Sequence, residues 1–394
     1  MSAPIALEAA HERLFALARP LGAETVPVDE AGGRYLAEPL IAHRTQPARD
    51  LSVMDGFAVA GAEPWRIVGE SRAGAPFCGV LASGEAVRIS TGAACPEGSE
   101  GIVIVEDAAV DNEVLTAQAP QSGRWVRHRG FDFTAGTRLL EPGTRIGPAQ
   151  LALARGAGHG ALAVTRQPSV AIVECGDELV TDPRDCPPDS LPASNGAMVA
   201  AMSEAAGARV QRIGPLPDDR AALARAFAHA ADADVLVTTA GASVGEHDHV
   251  RGALEECGAE LAFWRVAIRP GKPLLVAQRG QQLVLGLPGN PASSFVTAFL
   301  FLLPLLRALQ GAAKALPTAL PMPLAQPLPA SGQRREFVRA LLVDSHALPL
   351  EERDSSALRT LAAADLLIDR PIGAAAAQAG TSVPCYWLGN GGIA

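Results

Sequence analysis

The chain contains no C-x-x-C pair. Its six cysteines, at 78, 95, 175, 186, 257 and 385, are scattered through 394 residues. That spacing argues against a zinc site and against the disulfide framework that small secreted domains need. Reduced thiols are expected. Basic residues are in deficit too: 33 Lys and Arg stand against 42 Asp and Glu, a formal net charge of −9. Such a balance leaves no footprint for nucleic acid or for anionic lipid. The N-terminus, MSAPIALEAAHERLFALARP, lacks a basic start followed by an apolar core, so it reads as an amphipathic helix and not an export signal. Only one apolar run needs a check, Phe295 to Leu309. It is short for a membrane span, carries Pro304 and follows a polar turn, so a buried helix is expected. A cytoplasmic protein with no membrane and no nucleic-acid partner is expected.

What is present is an ordinary globular composition, 48% hydrophobic and 19% charged with few aromatics. The length exceeds one hydrophobic core, so about two to four domains are expected. From residue 50 to about 140 the chain is a series of short β runs, among them GFAVAG, WRIVGES, EAVRIST and GIVIVED, separated by Gly or Pro. From Ser169 the pattern changes to alternating strands and helices: SVAIVE, SNGAMVAAMSEAAGA, RVQRIGPLP, DDRAALARAFAHAA, DVLVTT. That is a doubly wound α/β domain, closed by the helix from Pro291. A proline-rich stretch, LPTALPMPLAQPLPASGQ, then reads as a linker or extended entry to a small β-rich tail.

In an open α/β sheet, ligands bind beyond the carboxyl ends of the strands. Four loops fall there: ECGDEL (174–179), TAGASVGEHD (239–248), RPGKP (269–273) and LPGNPASS (287–294). Their small residues let backbone N–H groups approach an anion. Arg265, Arg269 and Lys272 add cations; Glu178, Asp218 and Asp248 add oxygen donors. Cations suit a phosphate or oxyanion, and clustered acids suit a hard divalent ion such as Mg²⁺. Each loop alone is weak, since P-G-K-P or P-G-N-P is often just a turn. Asp219 reads as a helix cap. The E-H-D-H run at 246–249 has no third ligand at zinc spacing, and Cys175 reads as a packed thiol.

Several motifs occur together. M-D-G-F-A lies at Met54–Ala58, T-G-x-x-x-P-x-G at Thr91–Gly98 and R-x-R-G-x-D at Arg127–Asp132. G-D-E-L lies at Gly176–Leu179, S-N at Ser194–Asn195 and S-V-G-x-x-D at Ser243–Asp248. P-G-K-P is Pro270–Pro273 and L-P-G-N-P is Leu287–Pro291. In this combination the chain resembles the molybdopterin molybdenumtransferases, the family of MoeA and the gephyrin E domain, over nearly its whole length. The resemblance implies four domains: an extended domain from 1–45 with 140–168, a β-rich domain at 46–139, an α/β molybdopterin-binding domain at 169–315 and a C-terminal β-barrel at 316–394. It implies a homodimer whose site joins the α/β domain of one protomer to the β-rich domain of its partner.

The activity implied is insertion of molybdenum from molybdate into adenylylated molybdopterin, with Mg²⁺ and release of AMP. The resemblance assigns catalytic roles to Asp55, Thr91, Asp132, Glu178, Asp218 and Asp248, the last three also as metal ligands. It assigns substrate contacts to Ser243, Gly245, Arg265, Arg269, Lys272, Gly289, Asn290 and Arg339. Partners implied are the enzyme that adenylylates the pterin and the molybdoenzymes that receive the cofactor. Three departures stand out: A-G-A-S at Ala240–Ser243 for G-G-V-S, C-G-D-E-L for T-G-D-E-L, and A-D-L-L-I at Ala364–Ile368 for A-N-G-L-I. If Ala240 must adopt a positive φ, its Cβ strains the loop. A second reading stays open, a non-catalytic molybdopterin-binding protein that delivers cofactor or organises partners. A kinase or a nicotinamide oxidoreductase lacks its phosphate-binding glycine motif here.

Overall fold

A computed structural model describes residues 3–240 and 249–389. At its centre lies a six-stranded sheet in the spatial order Arg209–Leu216, Ser169–Cys175, Val235–Thr238, Gln282–Gly286, Leu275–Arg279, Glu260–Trp264. The first four run parallel, and Leu275–Arg279 runs against both its neighbours. The strands are apolar on both faces. Along Ser169–Cys175, Val170 and Ile172 join one core cluster while Ala171 and Val173 join another. Val235 and Val237 face the first cluster and Leu236 the second. A period of two with both faces buried is what a doubly wound sheet requires.

One face is covered by the helices Asn195–Ala205 and Pro291–Leu309. The second is the apolar run tested above for a membrane span. Phe299, Phe301 and Leu305 are at most 1% exposed, so the run is the core helix of this domain. Its middle widens to π geometry over Ala298–Leu302. The N-terminal helix Leu7–Leu17 packs on it through Leu7, Ala10 and Leu14. His11 donates from Nε2 to the Leu300 carbonyl at 2.9 Å and lies against the Phe301 ring.

Burial holds the His11 imidazole below its usual pKa, and Arg335 pushes the same way; the Leu300 bond and Glu8 oppose them. The unfolded chain therefore takes up this proton first. Stability is complete above about pH 6.5 and falls as the pH drops toward the lowered folded value, by at most about 1.4 kcal/mol per pH unit. Denaturant titrations of wild type and His11→Asn between pH 5 and pH 8 should show this slope in wild type alone.

The remaining layers position the site. A second six-stranded sheet holds Gly56–Ala60 between Gly101–Ile104 and Glu85–Ile89, packed over Phe57, Trp65 and Leu115. A smaller body joins Ala23–Pro27 to Ala161–Thr165 around Leu36, Ile146 and Val164. The tail forms a barrel. Leu320–Pro323 pairs with Ser382–Trp387, then follow Leu366–Arg370, Arg335–Val343 and His346–Pro349. The ring closes where Ala325 N donates to Ala347 O at 2.9 Å. The proline-rich stretch thus supplies the first barrel strand, and its Leu324 and Leu328 enter the barrel core. Prolines are tolerated there because a strand at the seam need not donate at every residue.

The barrel is bound to the α/β domain by a short shared strand. Ile268–Arg269 leaves the sheet edge and pairs with Arg335 and Glu336. Arg335 grips Asp369 bidentately and also pairs with Glu8 of the N-terminal helix.

Candidate functional site

At the carboxyl edge of the parallel strands lies a cleft of about 360 Å³. Its walls come from four places. The strand end Ser169–Cys175 leads to Glu178 and Leu179. The helix start gives Ser194 and Asn195. Thr239 and Ala240 follow the strand Val235–Thr238, and Gly289–Pro291 follow Gln282–Gly286. Ser356 and Leu358 close it from the barrel side.

The walls are tied by hydrogen bonds. Asn195 Nδ2 donates to Gly289 O at 2.6 Å, joining two strand-end loops. Asn290 Nδ2 donates to Ser355 Oγ at 2.9 Å, and Ala292 N donates to Ser355 O at 2.9 Å, joining the α/β domain to the barrel. Behind the helix start, Glu174 is 2% exposed. Its carboxylate accepts from Gly196 N at 2.7 Å and from Arg212 at 3.0 Å. Sequence reading missed Glu174, because an acid at the end of an apolar strand looks like an edge residue. Its consequence is electrostatic: the positive end of the helix Asn195–Ala205 already faces a carboxylate. That helix start is a poor anion site.

Two of the expected acids lie at the ends of neighbouring strands. Glu178 is exposed on the cleft wall. Asp218 sits on the next strand end, after Arg209–Leu216, and its backbone N–H donates to Asp177 Oδ1 at 3.0 Å. Asp219 caps the following helix, accepting from Ala222 N at 2.7 Å. Ser243, Gly245 and Asp248 lie outside the described residues. Among the described residues, neither Glu178 nor Asp218 pairs with a cation, and no three acid, His or Cys side chains converge as a metal cage. Free oxygen donors on adjacent strand ends fit a hard ion such as Mg²⁺, whose remaining positions water would fill.

The three expected cations separate. The turn Pro270–Pro273 reaches the site edge because Leu275–Arg279 runs in reverse, so the start of that strand lies beside the carboxyl ends of the others. Gly271 has φ +103°, and a Cβ there would lie 2.6 Å from the Thr297 methyl, which sets the turn against the core helix. Lys272 is exposed. Arg269 pairs with Glu336 at 3.4 Å on the barrel seam. Arg353 is near enough for the charges of Arg269 and Glu336 to act on it, an arginine that sequence reading left out. Arg265 lies beside Trp264. Its guanidinium stacks on the Trp264 ring, 4.1 Å from the centroid, and it does not line the cleft.

Arg339 is 5% exposed and donates to the carbonyls of Glu352, Asp354 and Ala357. Its guanidinium is engaged by the loop and does not project into the cleft. Ala240 does not adopt a positive φ, so the feared backbone strain is absent. Cys175 is buried among Val173 and Leu223, as a packed thiol would be.

A second group lies on the β-rich domain. Asp55 Oδ1 accepts from Thr91 N at 2.6 Å and from Thr91 Oγ1 at 3.1 Å. Asp132 is exposed in the loop after Arg127. Asp50, which no motif singled out, accepts from Arg129 N at 2.7 Å and His128 at 3.1 Å, and these bonds hold its carboxyl below the usual range. None of these residues lines the cleft within one chain.

The same architecture recurs in known proteins. Three family models cover the chain: "MoeA N-terminal region (domain I and II)" at 5–158, "Probable molybdopterin binding domain" at 171–308 and "MoeA C-terminal region (domain IV)" at 321–388. A molybdopterin molybdenumtransferase from Synechococcus elongatus is 36% identical over 92% of this chain and 94% of its own length. Its counterpart in Bacillus subtilis is 31% identical over 96% and 93%. A crystal structure of a molybdopterin biosynthesis MoeA protein from Pyrococcus horikoshii superposes with a TM-score of 0.81 at 27% identity, covering 97% of this chain and 98% of that one. With its α/β cleft, its β-rich layer and its terminal barrel all matched in order, the chain belongs to the molybdopterin molybdenumtransferase (MoeA) family, enzymes of molybdenum cofactor biosynthesis.

Proposed function

We propose that this enzyme takes adenylylated molybdopterin and molybdate, with Mg²⁺, and releases AMP as molybdenum passes to the dithiolene. The observation that carries the reading is the cleft itself. It brings Glu178, a carboxylate with no cationic partner among the described residues, together with the loop Gly289–Asn290 at a sheet edge where ligands are expected. Glu178 and Asp218, with Asp248, would hold Mg²⁺ through oxygen. The ion would supply positive charge against the substrate phosphates. Gly289 leaves room for the ligand and Asn290 fixes the wall; Ser243 and Gly245, outside the described residues, would also contact the substrate. Arg265, Arg269 and Lys272 would together attract molybdate. A purely delivering or scaffolding protein has no need of Glu178, Asp218 and Asp248 together.

Asp55, Thr91 and Asp132 would act across a homodimer, since they do not reach the cleft of their own chain. Mixing Asp55→Ala with Glu178→Ala protomers should restore activity in the heterodimers, because one composite site stays whole. Mixed dimers without recovered activity would sink the shared site. The test of the whole reading is incubation with adenylylated molybdopterin, Mg²⁺ and molybdate, following AMP release and cofactor formation. Tight binding with no AMP release would favour the delivery role.

A further inference from the structure

The barrel contributes a wall to the cleft, and that wall hangs on one buried cation. After the strand His346–Pro349 the chain turns under Arg339 and returns as the helix Leu358–Ala363. Arg339 Nη2 donates to Glu352 O at 2.9 Å and to Asp354 O at 2.8 Å, and Nη1 to Ala357 O at 3.2 Å. Among the described residues it forms no ion pair. A buried cation without a carboxylate is costly unless its donors are met, and a flat guanidinium can meet several carbonyls at once where an ammonium cannot.

The loop so held carries Ser355 and Ser356. Ser355 takes both bonds from the α/β domain, one from Asn290 Nδ2 and one from Ala292 N. Ser356 and Leu358 line the cleft. We infer that Arg339 is a positioning residue, which sets the barrel-side wall of the cleft through the 352–357 loop and does not touch ligand. The inference rests on the reading that the cleft takes the adenylylated pterin, and it replaces the direct substrate contact expected of Arg339.

The experiment compares Arg339→Met, Arg339→Lys, Ser355→Ala and Asn290→Ala with wild type. In the free proteins, amide exchange is followed at 350–357 and 290–292. Arg339→Met should speed exchange at both segments while the barrel strand Leu366–Arg370 stays protected. Binding of adenylylated molybdopterin should weaken about tenfold in Arg339→Met and stay weak in Arg339→Lys, because geometry and not charge is lost. Arg339→Met combined with Asn290→Ala should bind little worse than either alone, since both act through Ser355. The dependence of affinity on salt should match wild type, because no phosphate contact is lost.

Unchanged exchange at 290–292 in folded Arg339→Met would overturn the inference. So would recovery in Arg339→Lys, a flattened salt dependence, or additive effects in the double variant. If Arg339→Met does not fold, Ser355→Ala removes the side-chain half of the tie, the bond from Asn290 Nδ2, and keeps the bond from Ala292 N to Ser355 O, without unpairing a buried charge. It should speed exchange at 290–292 and weaken binding, and no change in either would count equally against the proposal. If wild type itself fails to bind the adenylylated pterin, the functional reading falls, while the exchange data still decide whether Arg339 holds the wall.

Discussion

Glu178→Gln should lower turnover by about a hundredfold or more while changing pterin affinity by less than about threefold. The side chain is exposed and has no ion-pair partner among the described residues, so the isosteric change leaves the fold intact. What it removes is negative charge at the cleft wall. Left alone, that charge would repel a phosphorylated ligand. It is useful only with a cation between them, and its loss should therefore appear in the rate and in the Mg²⁺ requirement. Arg269→Ala should behave differently. Arg269 sits on the barrel seam beside Glu336. Its loss should raise the molybdate concentration needed for half-maximal rate by about tenfold, with the Mg²⁺ curve unmoved. Separate titrations of Mg²⁺ and molybdate for the two variants decide the matter. One shared defect in both curves would end the separation of roles.

Gly289→Val is expected to weaken pterin binding by about 10- to 100-fold, roughly 1.4 to 2.7 kcal/mol, in a protein that still folds. The glycine is exposed on the cleft floor and is not in the positive-φ region. A Cβ built there finds only Thr239 O within 4 Å, at 3.9 Å. The fold therefore has room for a side chain that the ligand does not. Gly289→Ala serves as the graded control, with a smaller loss. The contrast is Gly271, whose added Cβ would strike Thr297 and disturb packing as well as binding. Equal affinities for wild type and folded Gly289→Val would place the ligand elsewhere. A thermal melt run beside the binding titration separates the two explanations.

The sequence by itself determined the class of the central domain and the edge at which its loops collect. Strands apolar at every position, as in Val170–Val173, can only be buried on both faces, and that forces helices onto both sides of the sheet. The helix start at Asp219 was legible for a local reason, a side chain that caps. The strand order, the reversal of Leu275–Arg279 and the closing of the barrel were not legible, because pairing partners far apart in sequence leave no local mark.

The fate of individual charges was legible least of all. Arg265, Arg269 and Arg339 look alike in sequence, each a cation in or beside a strand. Tertiary structure stacks the first on Trp264, pairs the second with Glu336 and buries the third under three carbonyls. Glu174 likewise becomes the partner of a helix start and of Arg212. A guanidinium or carboxylate takes whatever complementary group the fold brings within hydrogen-bond reach. The fold sets that neighbour, 38 residues away for Arg212 and Glu174 and 67 for Arg269 and Glu336, so only the folded chain decides which charges remain free to meet a ligand.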